Sequence, residues 1–580
     1  MMPSFDGLYV LASLDGAPLS HRDCAALGLR PADDRRGCVV SACDRGIRSP
    51  EAVDTAFLGH IDEQATLAAT LGLDPTTAPA DLVRAAVARF GDDAPSRVLG
   101  EWSFVHWDGA ARTLTVMVSD TARDALLFAT DGRRVVVAPH VWAFRRLDGV
   151  DSAPNGRGLL LHMARATVRS MVGDETMLRG VRRVGAGTRV TIAPAGVTVG
   201  QRTPLPAPAR WHGSFAEGIE AIDGLLRRIL HEQLVRYPST AVMLSGGLDS
   251  SLIAAFAAAM RLPSSSLLAL TSAAPIGSGL PDERAYSQAV AEQAGIDMRA
   301  VVPAAGADAY LPTDAMLHAL QQPISSPRHY VYDALYRAAA ERGAQAIFDG
   351  SEGEWTVTGY PDDTGWRQRA RDAAHRAQAL IRRRSVQGAF HVRLSKDAIA
   401  FAQAELQPAL RALDPVAPRH RRDDMWGYSP GIDKNLGATT TTHLPGIRRL
   451  LPFRDRRLLT AFAGMPYRFL TEGGVTRAPG RALLMGKVPE HVRLRERGLP
   501  FSPDYLDRIH GQAAAARDRL PAFARAGVGE WLDLAWLDGA LARIAAADVG
   551  KVALDTVFEA QATATAAAFL AYWSSGDQGG

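Results

Sequence analysis

The chain has 580 residues, 47% of them apolar and 22% charged, the balance of an ordinary globular protein, which excludes a fibrous or disordered chain. A net charge of +3 makes no demand for a nucleic acid, and the length exceeds the ~250–300 residues at which single cores stop growing, so two or more domains are expected. No apolar run approaches the ~18 residues of a membrane span, and the opening MMPSFDGLYVLASLDG lacks the basic flank and apolar core of a signal peptide, so the expected setting is the cytoplasm, with neither membrane nor nucleic acid as partner.

The first two hundred residues read mainly as β. Cys24, Cys38 and Cys43 lie there without a C-x-x-C or a His at finger spacing, so they are expected to be structural or incidental rather than a zinc site. EWSFVHWD (101–108) alternates, with Trp102 and Phe104 on one face and Val105 and Trp107 on the other. Residues 126–138 form two apolar runs around Asp131-Gly132, a hairpin signal. A second hairpin is expected over 188–199, turning near 194–196. Pro204, Pro206 and Pro208 then mark an extended linker over 203–213.

After the linker the period changes. Ser214 and Glu217 have capping-box spacing, and Phe215, Ile219, Ile222, Leu226, Ile229 and Leu230 recur at helical spacing. A short strand is expected over 240–244, a helix from near Asp249, and a strand over Ser266–Ser272. Helices over 282–294 and 330–342 end at Gly295 and Gly343, and a strand follows over 344–349. Strands alternating with helices imply a doubly wound parallel sheet. The last two hundred residues read mainly as helix. The Arg-rich stretch 367–384 reads as a solvated helix face rather than a surface for acidic peptide or nucleic acid.

The most informative stretch is SGGLDSS, residues 245–251, between an apolar strand and an apolar helix. Gly246 and Gly247 let backbone N–H groups approach a ligand. Ser250 and Ser251 fall in the first helical turn, where free amides and the helix dipole favour an anion. This is a phosphate cradle, but not a Walker A loop, since it has no Lys. Asp249 stands in it instead, and a carboxylate beside phosphates calls for a cation such as Mg²⁺. A second loop, 347–360, also follows an apolar strand. Ligand sites in open α/β sheets gather at the carboxyl ends of strands, so the two loops are expected to face one pocket. Of Glu352 and Glu354, one would then be a second Mg²⁺ ligand and the other a base; the alternative is a solvated acidic loop.

Residues 245–251 resemble the pyrophosphate loop of the asparagine synthetase superfamily. LGEWSFVHWD resembles the Gly-x-Phe-Ala-Phe strand of that superfamily's glutaminase-type domain, and 174–192 resembles the stretch that closes it. Residues 279–295 resemble the helix after the second strand of the synthetase domain. DGSEGEWTVTGY stands where asparagine synthetases carry a Ser-Gly-Glu-Gly-x-Asp-Glu loop, and 451–466 and 488–505 resemble C-terminal motifs. The likeness implies an α/β and α+β protein of two domains. Residues 1–205 would be a degenerate glutaminase-like (Ntn-type), antiparallel β-rich domain lacking the nucleophile. Residues 213–580 would be a doubly wound parallel-sheet ATP-pyrophosphatase domain with extra helices. The superfamily's nucleophile is an N-terminal Cys that uses its own amine as base. Here Met1, Met2 and Pro3 stand at the start and the first cysteine is Cys24, so ammonia from glutamine is not the expected nucleophile.

Superfamily members without that Cys include β-lactam synthetases, carbapenam synthetases and lasso peptide cyclases. Ser351 stands where the β-lactam type has a Tyr, and 427–446 offers no partner Glu. RERGLPFSPDY resembles the Arg-Gly and downstream Asp of lasso cyclases, with Asp504 as the acid, and on this likeness the chain is identified as a member of that group. The resemblance implies ATP and Mg²⁺, with Leu244, Ser245, Gly246, Gly247, Asp249, Ser250, Ser251, Leu270, Asp349 and Gly350 around the nucleotide. It implies Asp249 and Glu354 as metal ligands, Glu352 as base, and Arg497 near the position of the superfamily's catalytic Lys. The substrate would be a lasso core peptide, with a leader peptidase and a leader-binding protein as partners. Two alternatives stay open. One is an asparagine synthetase-like or β-lactam synthetase-type amide-forming enzyme on a small molecule; the other is a non-catalytic binding subunit that kept the fold.

Overall fold

A computed structural model describes residues 7–29, 38–44, 47–48, 54–122, 126–165, 168, 173–201, 208–320, 322–323, 327–359, 386–412, 447–496 and 498–575. It divides into two compact units, one holding the described residues up to 201 and the other almost all of those from 208 onward. The architecture is mixed α/β, with two antiparallel sheets and one parallel sheet.

The first unit is built on strands β1 (Gly7–Ser13), β2 (Cys38–Asp44), β3 (Ile47–Arg48), β4 (Thr55–Gly59), β5 (Trp102–Asp108), β6 (Thr113–Val118), β7 (Leu127–Thr130), β8 (Arg134–Ala138), β9 (Arg182–Arg183), β10 (Thr188–Ala193) and β11 (Gly196–Val199). One sheet runs β3-β2-β1-β8-β7-β9 and the other β11-β10-β6-β5-β4. The alternation in β5 sorts its side chains between two cores. Val105 and Trp107 meet Leu8, Val10 and Val137 of the opposite sheet. Trp102 and Phe104 pack instead with Leu82, Val83 and Ala86 of helix α1 (Pro79–Phe90). The β7–β8 hairpin turns where Gly132 takes φ +83, and Asp131 Oδ1 accepts from the Arg133 and Arg134 amides, each at 2.9 Å.

The second unit carries α2 (Phe215–Arg236), β12 (Ser239–Met243), α3 (Leu248–Met260), β13 (Ser266–Ser272), α4 (Arg284–Ala294), β14 (Asp297–Val301), α5 (His329–Ala340), β15 (Ala346–Phe348) and β16 (Arg448–Leu450). The capping box that opens α2 is closed on both sides, Ser214 with the Glu217 amide and Glu217 with the Ser214 amide. All pairings in the sheet are parallel, in the order β14-β13-β12-β15-β16. The chain therefore leaves β12 toward one edge through β13 and β14, then returns to its other side as β15. The order reverses beside β12, which is where such sheets open a crevice at the carboxyl ends of their strands. Helix α3 is apolar nearly all round and is buried from Ser250 to Ala257, as an all-round apolar helix must be. Among the described residues, no helix is long and apolar enough to cross a membrane. The Arg-rich stretch 367–384 and residues 427–446 lie outside the described residues.

Candidate active site

The chain leaves β12 through Leu244, whose amide donates to the Leu270 carbonyl at 2.8 Å and extends the sheet by one residue. The turn then folds back on itself. The Ser245 amide donates to Ser250 Oγ at 3.1 Å, the Gly247 amide to Ser245 Oγ at 3.3 Å, and Ser250 Oγ to the Gly247 carbonyl at 3.2 Å. Gly246 takes φ +65, and a Cβ there would fall 2.4 Å from the Tyr286 Cβ. Only glycine lets the turn lie this close to the first turn of α4. Gly247 precedes α3, whose N-terminus no side chain caps, leaving first-turn amides for an anion.

The loop after β15 closes on this turn. A Cβ on Gly350 would sit 3.0 Å from the Ser250 amide, and one on Gly353 only 2.0 Å from Asp249 Oδ1. The Thr358 hydroxyl donates to that same Oδ1. Burial pushes the Asp249 carboxyl up to about 6; the Thr358 hydroxyl opposes this, Glu354 adds to it, and Arg477 opposes it. Asp349 is the reverse case. Burial alone would raise it, but Arg449, with Nε 2.9 Å from Oδ2, and the Ser351 hydroxyl and amide at 2.7 and 2.8 Å hold it below the usual carboxylate range.

These loops enclose a cavity of about 230 Å³. Leu244, Leu270 and Leu335 give it apolar wall, Ser245, Gly247, Asp249 and Ser250 the cradle, and Asp349, Gly350 and Ser351 the second loop. Glu283, Tyr332, Pro500 and Phe501 complete it. The Tyr332 and Phe501 rings meet with centroids 5.2 Å apart, and burial followed by the nearby Asp349 pushes the Tyr332 phenol up.

Of the residues singled out from sequence, Leu244, Ser245, Gly247, Asp249, Ser250, Leu270, Asp349 and Gly350 share this cavity, while Gly246, Ser251, Glu352, Glu354 and Asp504 are not on its wall. Gly246 shapes the turn behind it, and Ser251 is fully buried in α3. Glu354 is exposed but within electrostatic reach of Asp249. Glu352 takes a left-handed φ of +73 and lies 3.9 Å from Arg454 Nε. Asp504 is buried in an ion pair with Arg508 at 2.6 Å. Arg497 lies outside the described residues. Among the described residues, no three His, Cys, Asp or Glu side chains cluster as a metal cage. Mg²⁺ seldom uses one, being held by one or two carboxylates and the substrate's phosphates. The partly buried Asp249, within electrostatic reach of Glu354, fits that mode.

Sequence reasoning missed Glu283, Thr358, Arg449, Arg477, Tyr332 and Phe501. Thr358 lay within the loop already singled out, and Glu283 beside a candidate helix start. Phe501 lay within RERGLPFSPDY and Tyr332 within the helix expected over 330–342; Arg449 and Arg477 carry no local signal.

The asparagine synthase family model matches residues 221–522, more than half of the 580. Among solved structures, the chain is similar to the allosteric regulatory enzyme of purine biosynthesis, at 13% identity and a TM-score of 0.22, over 51% of this chain and 59% of that one. It is also similar to glutamine phosphoribosylpyrophosphate amidotransferase from B. subtilis complexed with ADP and GMP, at 10% identity and a TM-score of 0.20, over 80% of this chain and 90% of that one. Comparison with curated proteins gives no match.

Proposed function

The chain belongs to the asparagine synthase family, and on that premise we propose that it forms an amide bond at the expense of ATP, closing the macrolactam ring of a lasso peptide. One observation carries the reading: the Ser245–Ser250 turn and the loop after β15 close on the partly buried carboxylate of Asp249, at the switch point of a parallel sheet. An amide-forming synthetase needs a leaving-group cradle beside a cation site, and the glycine-lined turn with Asp249 beside it supports that reading.

In the proposed reaction, a side-chain carboxylate oxygen of the core peptide attacks the α-phosphorus of ATP. The bond from that phosphorus to the bridging oxygen breaks, and pyrophosphate leaves into the cradle of Ser245, Gly247 and Ser250. The peptide's α-amine then attacks the acyl carbon, AMP leaves, and the amine loses its proton. Leu244, Leu270, Asp349 and Gly350 line the nucleotide. Bound Mg²⁺ would offset phosphate charge, with Asp249 and Glu354 to hold it. Glu352 is the proposed proton acceptor, and Arg497 offsets charge on the phosphate. Asp504 serves from within its pair with Arg508, three residues beyond the Phe501 wall. Holding amine and acyl group together supplies much of the rate, so the core peptide must arrive prefolded. A leader peptidase and a leader-binding protein are the partners this substrate requires. Among the described side chains, Cys24 and Cys38 are buried in the first unit, and burial pushes the Cys38 thiol well above its ordinary range.

The test is mass spectrometry after incubation with ATP, Mg²⁺ and a leaderless core peptide. A product lighter by one water with its α-amine blocked, together with AMP and pyrophosphate, is the expected result. An unchanged peptide alongside pyrophosphate release with a small carboxylic acid would transfer the assignment to a small-molecule amide or β-lactam synthetase. ADP as product would remove the chain from this chemistry.

A further inference from the structure

Glu283 stands between two parts of the cavity that are far apart in sequence. It is the residue before α4, whose first turn sets Tyr286 against Gly246. It lines the cavity together with Ser245, and burial pushes its carboxyl up, opposed by the Leu499 amide, Arg495 and, least, the Ser245 hydroxyl. Its Oε1 accepts from Arg495 Nη2 at 2.7 Å and from the Leu499 amide at 2.8 Å. The Arg495 guanidinium lies over the Tyr286 ring, 3.9 Å from its centroid. Directly after Leu499 come Pro500 and Phe501, which form part of the cavity wall. Beyond them the Ser502 hydroxyl meets the Tyr330 hydroxyl, and Arg508 holds Asp504 while donating to the Ala304, Ala305 and Ala307 carbonyls. The wall is thus fastened at both ends, and one fastening is a residue that touches the cradle.

We propose that Glu283 is a positioning residue that couples occupancy of the phosphate cradle to the placement of the Pro500–Phe501 wall. This rests on the reading of the Ser245 turn as a pyrophosphate site. A phosphate oxygen seated there takes the Ser245 hydroxyl as a donor and brings negative charge beside Glu283. The carboxylate then depends on Arg495 and the Leu499 amide alone, and the wall tightens onto the occupied cavity. The wall would in this way close only after the nucleotide's phosphates are in place.

Hydrogen exchange on the full-length protein tests this, with magnesium pyrophosphate as the probe and calorimetry on the same samples to confirm binding. In the wild type, pyrophosphate is expected to slow exchange several-fold in peptides covering 245–252 and also 498–504. In Glu283→Gln, pyrophosphate should still bind and protect 245–252 while leaving 498–504 unchanged. Should that variant fail to fold, Arg495→Gln removes the charged partner of Glu283 without touching the cradle, and the same uncoupling is expected. Bound pyrophosphate without protection at 498–504 in the wild type overturns the coupling and leaves the site assignment standing. So does a response at 498–504 retained in a folded variant. Failure of the wild type to bind magnesium pyrophosphate overturns both.

Discussion

Asp249 is held in the fold at a cost to stability. Its folded-state carboxyl is raised to about 6, above the ~3.9 of an unfolded aspartate. Between about pH 4 and pH 6 the native state keeps a proton that the unfolded state has lost, so stability of the ligand-free protein falls as pH rises through that window. Above it the penalty is fully present. Asp249→Asn keeps the shape and removes the charge, and is expected to raise unfolding stability at neutral pH by up to ~2–3 kcal/mol while abolishing ATP-dependent turnover. Denaturant unfolding at neutral pH and near pH 4, compared with activity, checks both halves; at the acid end the stability gain should vanish. A variant less stable than wild type at neutral pH would mean that Thr358 and Arg477 stabilise the charge more than burial disfavours it. Deprotonation of Asp249 is also the condition for holding a cation, so magnesium pyrophosphate affinity should decline below about pH 6.

At the scale of elements, the site is made by two strand-to-loop turns that meet at the switch point of the sheet, and glycines set how closely they meet. Gly353→Ala would drive a methyl into the Asp249 carboxylate; the variant is expected to fold, as judged by circular dichroism, but to lose at least tenfold in affinity for ATP. An unchanged affinity would show that the loop after β15 can stand off from Asp249 without loss. The turn after β12, the α2 capping box and the β7–β8 hairpin were legible in sequence because each is written within a few neighbouring residues. The edge strands β14 (DMRAV) and β16 (RRL) were not, since short charged segments become strands only when a partner supplies the ladder. The pairs that organise the cavity escaped for a related reason. Asp349 and Arg449 are 100 positions apart, and Glu283 and Arg495 are 212 apart, so no local pattern announces them. Asp504, singled out as an acid, pairs with Arg508, a partner one helical turn away whose preference only the fold reveals.

At the scale of the molecule, each unit has its own core. The first is built around Leu8, Val105, Trp107 and Val137, and the second around Leu226, Leu252, Phe256 and Phe348. Cys24 and Cys38 sit inside the first unit at 0% and 2% exposure, and only a thiolate reacts readily with an alkylating agent. Iodoacetamide on the native protein is therefore expected to leave both unmodified until that unit unfolds, read by peptide mass spectrometry across a denaturant series. Rapid modification of either without denaturant would mean an open first unit in solution. In the second unit, the Asp349–Arg449 pair has a bearing on how such a site diversifies. Removing either partner strands a buried charge, at about 3–5 kcal/mol, a large part of the ~5–15 kcal/mol that keeps a protein folded. A lineage cannot walk through that position one substitution at a time. Ser351 is different: its amide holds Asp349 whatever the side chain, so its replacement forfeits one hydroxyl bond and little else. Heritable change in the lining of this cavity is therefore funnelled to Ser351, while the acid and base behind it stay fixed.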